Sequence, residues 1–103
     1  MTDVSFLDYV LEQLADVRQL NVRPMFGGHG LYMGGTFFGI VHKGALYLRT
    51  DATSRAAYVR AGSRPFSPKG RLELHRYYEV PAEILEDAQK LRIWAQAAAN
   101  TQN

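Results

Sequence analysis

Met25-Phe26-Gly27-Gly28-His29-Gly30-Leu31-Tyr32 places three glycines within four residues and runs directly into alternating apolar sequence. A stretch so poor in side chains either presents backbone amides to a phosphate or lets a neighbour approach the backbone closely. Phosphate-cradling loops follow a strand and open a helix. Here the glycines lead into strand pattern, no Lys-Ser or Lys-Thr follows, and the Gly-x-Gly-x-x-Gly spacing is absent. Gly27, Gly28 and Gly30 therefore read as structural glycines of a sheet, together with Gly39, and the lesser alternative is a small-ligand module or enzyme at the glycine stretch, which would need a pocket beside Gly28.

Outward from that stretch, Gly34-Gly35 and Lys43-Gly44 suit two-residue hairpin turns, which predicts strands at 29–33, 36–42 and 45–50. If both loops close on two residues, Met33 pairs with Thr36, His42 with Ala45, and Gly30 falls opposite Gly39. One face then carries Gly30, Tyr32, Phe37, Gly39, Val41, Leu46 and Leu48, and reads as core. The other carries His29, Leu31, Met33, Thr36, Phe38, Ile40, His42, Ala45, Tyr47 and Arg49. That face is too apolar for open solvent, so it is expected either to be partly covered by a terminal segment or to be a contact surface for a partner or a second copy of the chain, with Leu31, Phe38, Ile40 and Tyr47 at its centre.

Helical spacing brackets the sheet. Phe6, Leu7, Val10, Leu11, Leu14 and Val17 predict a helix over 3–18, with Ser5 and Asp8 in capping-box spacing. Its acidic row, Asp8, Glu12 and Asp16, is a solvated face. Asp51 as N-cap and Gly62 as C′ residue frame a helix over 52–61. Leu72, Leu74, Tyr78 and Val80 alternate as a strand interrupted by Arg76. Residues 82–85 form a turn, and Asp87 caps a last helix to Ala99 whose inward residues are Leu91, Trp94, Ala95 and Ala98. Trp94 is expected to fill the bare patch over Gly30 and Gly39.

The 103 residues predict a single domain, 1–103, large enough to bury roughly two thirds of its unfolded surface without a disulfide or metal. The absence of cysteine excludes thiolate zinc sites and cysteine nucleophiles and fits a reducing compartment. Neither a leader peptide nor an apolar run of roughly 20 residues is present, so a cytoplasmic location without membrane contact is expected. The three histidines lack a compact ligand pattern, which predicts no metal, and no cofactor motif occurs. Without a Gly-x-Ser-x-Gly or a paired nucleophile and base, catalysis is not expected.

Charge is uneven along the chain. Residues 1–17 hold four acidic and no basic side chains, while residues 18–76 hold ten basic against Asp51 and Glu73. Arg60, Arg64, Lys69, Arg71 and Arg76, interleaved with Phe66, Tyr77 and Tyr78, form the alternative site: cations for phosphates and rings for bases. No recognition helix accompanies them, so direct nucleic-acid contact would be weak and salt-sensitive.

Val22-Arg23-Pro24-Met25-Phe26-Gly27-Gly28-His29-Gly30-Leu31-Tyr32, Ala45-Leu46-Tyr47-Leu48-Arg49-Thr50-Asp51, Ala61-Gly62-Ser63-Arg64-Pro65-Phe66 and Tyr77-Tyr78-Glu79-Val80-Pro81 together resemble the N-terminal domain of the TfoX/Sxy family. The resemblance implies an α+β fold of order α-β(3)-α-β(2)-α, similar to secretion-chaperone-like domains, with an antiparallel sheet and packed helices. It further implies regulation of competence genes for DNA uptake, as a transcriptional coregulator contacting the cyclic AMP receptor protein, with DNA reached through that partner. Fuller members carry a second, C-terminal domain, and this sequence stops about where the first ends. The family brings no catalytic residues.

Overall fold

A computed structural model describes residues 3–25, 27–68 and 72–101. Helix α1 (Asp3–Gln13) leads into four consecutive strands, β1 (Leu20–Met25), β2 (Gly28–Met33), β3 (Thr36–His42) and β4 (Ala45–Arg49). Helix α2 (Arg55–Arg60), a 3-10 helix (Leu72–Arg76), strand β5 (Tyr77–Glu79), helix α3 (Ala82–Leu85) and helix α4 (Ala88–Ala99) follow. The five strands form one antiparallel sheet in the order β1-β2-β3-β4-β5. The fold is α+β, with five strands divided four and one rather than three and two.

Several elements depart from their predicted form, among them residues 82–85, which form the one-turn helix α3 rather than a simple turn. Strand β1 was absent from the expected order, which assigned no element to residues 19–25. It lies at the sheet edge, where a proline's missing N–H costs no ladder bond, while Leu20 and Val22 pack inward on alternate positions. The predicted strand at 72–76 is instead the 3-10 helix, so the interruption at Arg76 marks the true start of β5. Helix α1 stops at Gln13, and its continuation tightens into i→i+3 bonds, Ala15 N to Glu12 O at 3.2 Å and Val17 N to Leu14 O at 2.9 Å. Beginning at Asp3, it also places Ser5 inside the helix rather than at its cap.

Both hairpin turns form as expected. Gly34 and Gly35 have φ of 56° and 91°, and Lys43 and Gly44 have 48° and 74°, the double left-handed geometry that matches strand twist. The second hairpin keeps the predicted register, with His42 opposite Ala45 and Gly39 opposite Leu48. The first does not. Tyr32 pairs with Phe37, but Leu31 pairs with Gly39, so Phe38 is an extra residue: a β-bulge. Beyond it every β2 position is displaced by one relative to β3, and Gly30 faces Ile40 instead of Gly39.

The bulge redistributes the two faces. Leu31, Met33 and Phe38 join Val41, Leu46 and Leu48 on the side covered by α1 and α4, where Phe6, Val10, Leu14, Leu91, Ala95 and Ala98 complete the main core. Ile40 and Tyr47 stay on the second side with Phe37, and there Phe66, Leu74 and Tyr77 from the 64–77 segment close over them. Both faces of the sheet are therefore covered, one by helices and one by a loop. That loop is tied down along β5: Phe66 N donates to Tyr77 O at 2.7 Å and Glu79 N to Arg64 O at 3.0 Å.

Helix α2 begins at Arg55 with Ser54 as its N-cap, three residues later than the start predicted from Asp51, while Gly62 and Asp87 sit at the helix ends their chemistry predicts. The Asp51 carboxylate accepts from Ser54 N at 2.8 Å while Asp51 N donates to Ser54 Oγ at 3.0 Å, a reciprocal cap one turn ahead of α2. At the other end, Ser63 N bonds Tyr58 O and Gly62 N bonds Val59 O, a Schellman closure around Gly62 at φ 79°. Asp87 caps α4 by accepting from Lys90 N at 3.1 Å.

Candidate interaction surface

The four residues expected to centre a contact face do not share one. Leu31 and Phe38 are fully enclosed in the main core, and Ile40 is buried in the second cluster. Tyr47 is half-buried against Phe66, with ring centroids 4.8 Å apart. The bulge at Phe38 is the physical reason, since it sends alternate positions of one apparent face to opposite sides of the sheet.

The structural glycines are better placed. A Cβ on Gly28 would overlap the Val41 carbonyl oxygen, and one on Gly30 would press Met25, Phe37 and Tyr32 at 3.2–3.3 Å. Gly39 is enclosed by Leu48, Leu31 and the Tyr47 carbonyl at 3.2–3.4 Å. Gly27 has φ 77° with open space around it. Trp94 does not cover this patch: Gly30 turns to the loop-covered side, where Tyr32 and Phe37 stack at 5.1 Å.

The basic loop separates into its components. Arg60 and Arg64 are exposed. Arg76 is half-buried at the β4–α2 junction, where its carbonyl accepts from Thr50 N at 3.0 Å and from Thr50 Oγ1 at 2.6 Å. Arg55 Nε in turn donates to Thr50 Oγ1 at 2.9 Å, fixing α2 to the end of β4. Lys69 and Arg71 lie outside the described residues. Phe66 and Tyr77, whose rings could have stacked on bases, are buried. Tyr78 is half-buried, with the Tyr58 ring 6.1 Å away and the Arg55 guanidinium 5.8 Å from its centroid.

Among the described residues no group of His, Asp and Glu could hold a metal ion, and no helix is long and apolar enough to cross a membrane. His42 sets its ring edge against Phe66 at 5.2 Å. His29 has its Nδ1 enclosed without a hydrogen-bond partner. Neither position gathers the convergent donors a catalytic or metal site needs.

Burial of the Tyr77 ring pushes its phenol up to about 12, against a smaller opposing pull from Arg49 and Arg76. Burial raises Tyr58 as well, and burial followed by the Glu79 carboxylate raises Tyr47. The native state thus holds its phenol protons above pH 10, where the unfolded chain releases them. Stability is unaffected by these groups below about pH 10 and falls as pH rises through the window from about 10 to about 12, by up to ~1.4 kcal/mol per pH unit for Tyr77. Chemical denaturation between pH 9 and 12 should show this decline, and Tyr77→Phe should make it shallower.

An apolar cleft was not among the expected features. Between α2 and α4 lies a cleft of about 240 Å³, with Tyr58 on one wall and Trp94 meeting it edge-on at 4.7 Å and 65°. Ala57, Ala97 and Ala98 leave the space that larger side chains would fill, and Arg49 and Ser54 reach its lining from the β4–α2 junction. The lone tryptophan on the inward stripe of α4, beside a run of alanines, was the available signal. The same two helices also expose the large apolar side chains Val59 and Ile93, at 58% and 61%.

An antiparallel five-stranded sheet with packed helices defines a small α+β domain. Residues 12–101 match the TfoX N-terminal domain, and the chain belongs to that family, which is linked in general to competence regulation. No curated protein matches the chain.

Proposed function

We propose that the domain is a non-enzymatic adaptor in transcriptional control of competence, acting by contact with a DNA-bound regulator of the cyclic AMP receptor protein class. The observation that carries this reading is the family match, supported by the exposed Val59 and Ile93 on α2 and α4. Large aliphatic side chains more than half exposed on neighbouring helices suit a protein contact. The burial of Phe66 and Tyr77 favours an indirect route to DNA, since exposed cations without stacking rings hold phosphates only weakly at physiological salt.

The test follows fluorescence anisotropy of a labelled competence promoter at physiological salt, with and without the cyclic AMP receptor protein and its nucleotide. Addition of the domain should raise the anisotropy only when the receptor protein is bound. Val59→Glu with Ile93→Glu should remove that increment while leaving the melting temperature within a few degrees. An equal response on bare DNA would make the domain a DNA binder through Arg60 and Arg64, and no response in either case would end the adaptor reading.

A further inference from the structure

We infer that β1 pairs antiparallel with β1 of a second copy of the chain, about a two-fold axis at Asn21, so that one sheet runs through both copies. This does not depend on the regulatory reading above. The two edges of the sheet differ. Residues 64–66 close the β5 edge: Phe66 N donates to Tyr77 O, Glu79 N donates to Arg64 O, and Pro65 bridges Tyr78. Among the described residues no strand or bridge lies along the outer side of β1. An open strand edge is a template for another strand, and folded proteins cover it or block it.

The ladder fixes which groups that edge offers. Gly34 N donates to Gln19 O at 3.0 Å, and antiparallel bonding alternates, so Asn21, Arg23 and Met25 turn their backbone groups toward Tyr32, Gly30 and Gly28. Leu20, Val22 and Pro24 turn theirs outward. Pro24 has no N–H, so the outward donors of the strand are those of Leu20 and Val22. Pairing Leu20 with the partner's Val22, and Val22 with the partner's Leu20, engages all of these donors and the carbonyls beside them, with Asn21 opposite the partner's Asn21. Opposing Val22 to the partner's Val22 would instead set Leu20 against the partner's Pro24, which has no N–H to give the Leu20 carbonyl. The side chains match in the favoured register. Leu20 and Val22, half-buried at the margin of the main core, meet their counterparts on the helix-covered side and extend the apolar layer across the axis. Exposed Arg23 falls opposite the partner's Gln19 rather than another arginine. The outer edges of the joined sheet are then the covered β5 edges, so association closes at two copies.

Sedimentation equilibrium of the purified chain should move from the mass of one chain to that of two as its concentration rises to about 1 mM, the weak range suited to a short shared strand. Asn21→Lys, at an exposed position, should weaken that association at least about tenfold with the melting temperature preserved. Cross-linking reads the register, since the chain has no cysteine of its own. Opposed residues of a non-hydrogen-bonded pair stand about 4.5 Å apart at Cα, within reach of a disulfide. Under mild oxidation Asn21→Cys should therefore give a covalent dimer at least about tenfold faster than Arg23→Cys, which is also exposed on the same face of β1. A mass that stays at one chain throughout, undiminished association of Asn21→Lys, or equal cross-linking of the two cysteine variants would overturn the pairing.

Discussion

Gly28→Ala is expected to lower the melting temperature by about 12 °C or more. A Cβ at this position would overlap the Val41 carbonyl oxygen, with His42 Cα and Cδ2 also within 3.2 Å. The first two atoms are backbone, and they belong to the end of β3 that runs beside the start of β2. They cannot turn aside as a side-chain tip does, so relief requires the two strands to separate at Gly28. Overpacking of this kind costs about 3 kcal/mol or more, and each kcal/mol shifts the midpoint of a domain this size by roughly 4 °C or more.

Two neighbours supply internal controls for the same melt. Gly27→Ala adds no contact but must hold φ at 77°, a strain of about 1–2 kcal/mol. Gly30→Ala meets only side-chain atoms, of Met25, Phe37 and Tyr32, which need to shift by only a few tenths of an ångström. Gly28 should therefore be the least tolerant of the three. Equal melting temperatures for Gly28→Ala and Gly30→Ala would mean that the glycine stretch serves something other than close strand approach.

The glycine stretch shows where local sequence carries enough information and where it does not. Turns and caps are decided by a few adjacent residues, and Gly34-Gly35, Lys43-Gly44, Gly62 and Asp87 all occupy the positions their chemistry predicts, while Asp51 closes the turn ahead of α2 rather than capping the helix itself. The bulge at Phe38 has no such local signature. It depends on how β2 and β3 together fit under α1 and α4, and a single inserted residue reverses the facing of β2 relative to β3. Strand β1 was hidden because an edge position tolerates a proline that a central strand would reject. The second cover of the sheet was hidden for a different reason: residues 64–76 contain the prolines and cations of an exposed loop, yet Phe66 and Leu74 anchor it onto Ile40. Recognition of the cleft required knowing that α2 and α4 meet at Tyr58 and Trp94, a contact between residues far apart in sequence.

The same reversal makes Phe38 the most informative residue for the sheet. As an exposed contact residue it would accept glutamate with little change in stability; as the bulge residue at 0% exposure in the main core it would not. Phe38→Ala should cost about 3–5 kcal/mol, a large share of the 5–15 kcal/mol that typically separates folded from unfolded states. Phe38→Glu adds a carboxylate with no partner among Leu31, Val41 and the other apolar residues of that core, and should leave no cooperative transition. Tyr47→Ala, at a half-buried ring on the opposite side, should lose only on the order of 1–2 kcal/mol. Urea denaturation of the three variants separates the two placements. A folded Phe38→Glu protein with a near-normal midpoint would restore an open sheet face at Phe38 and return the bulge to the straight register that the hairpin turns alone would set.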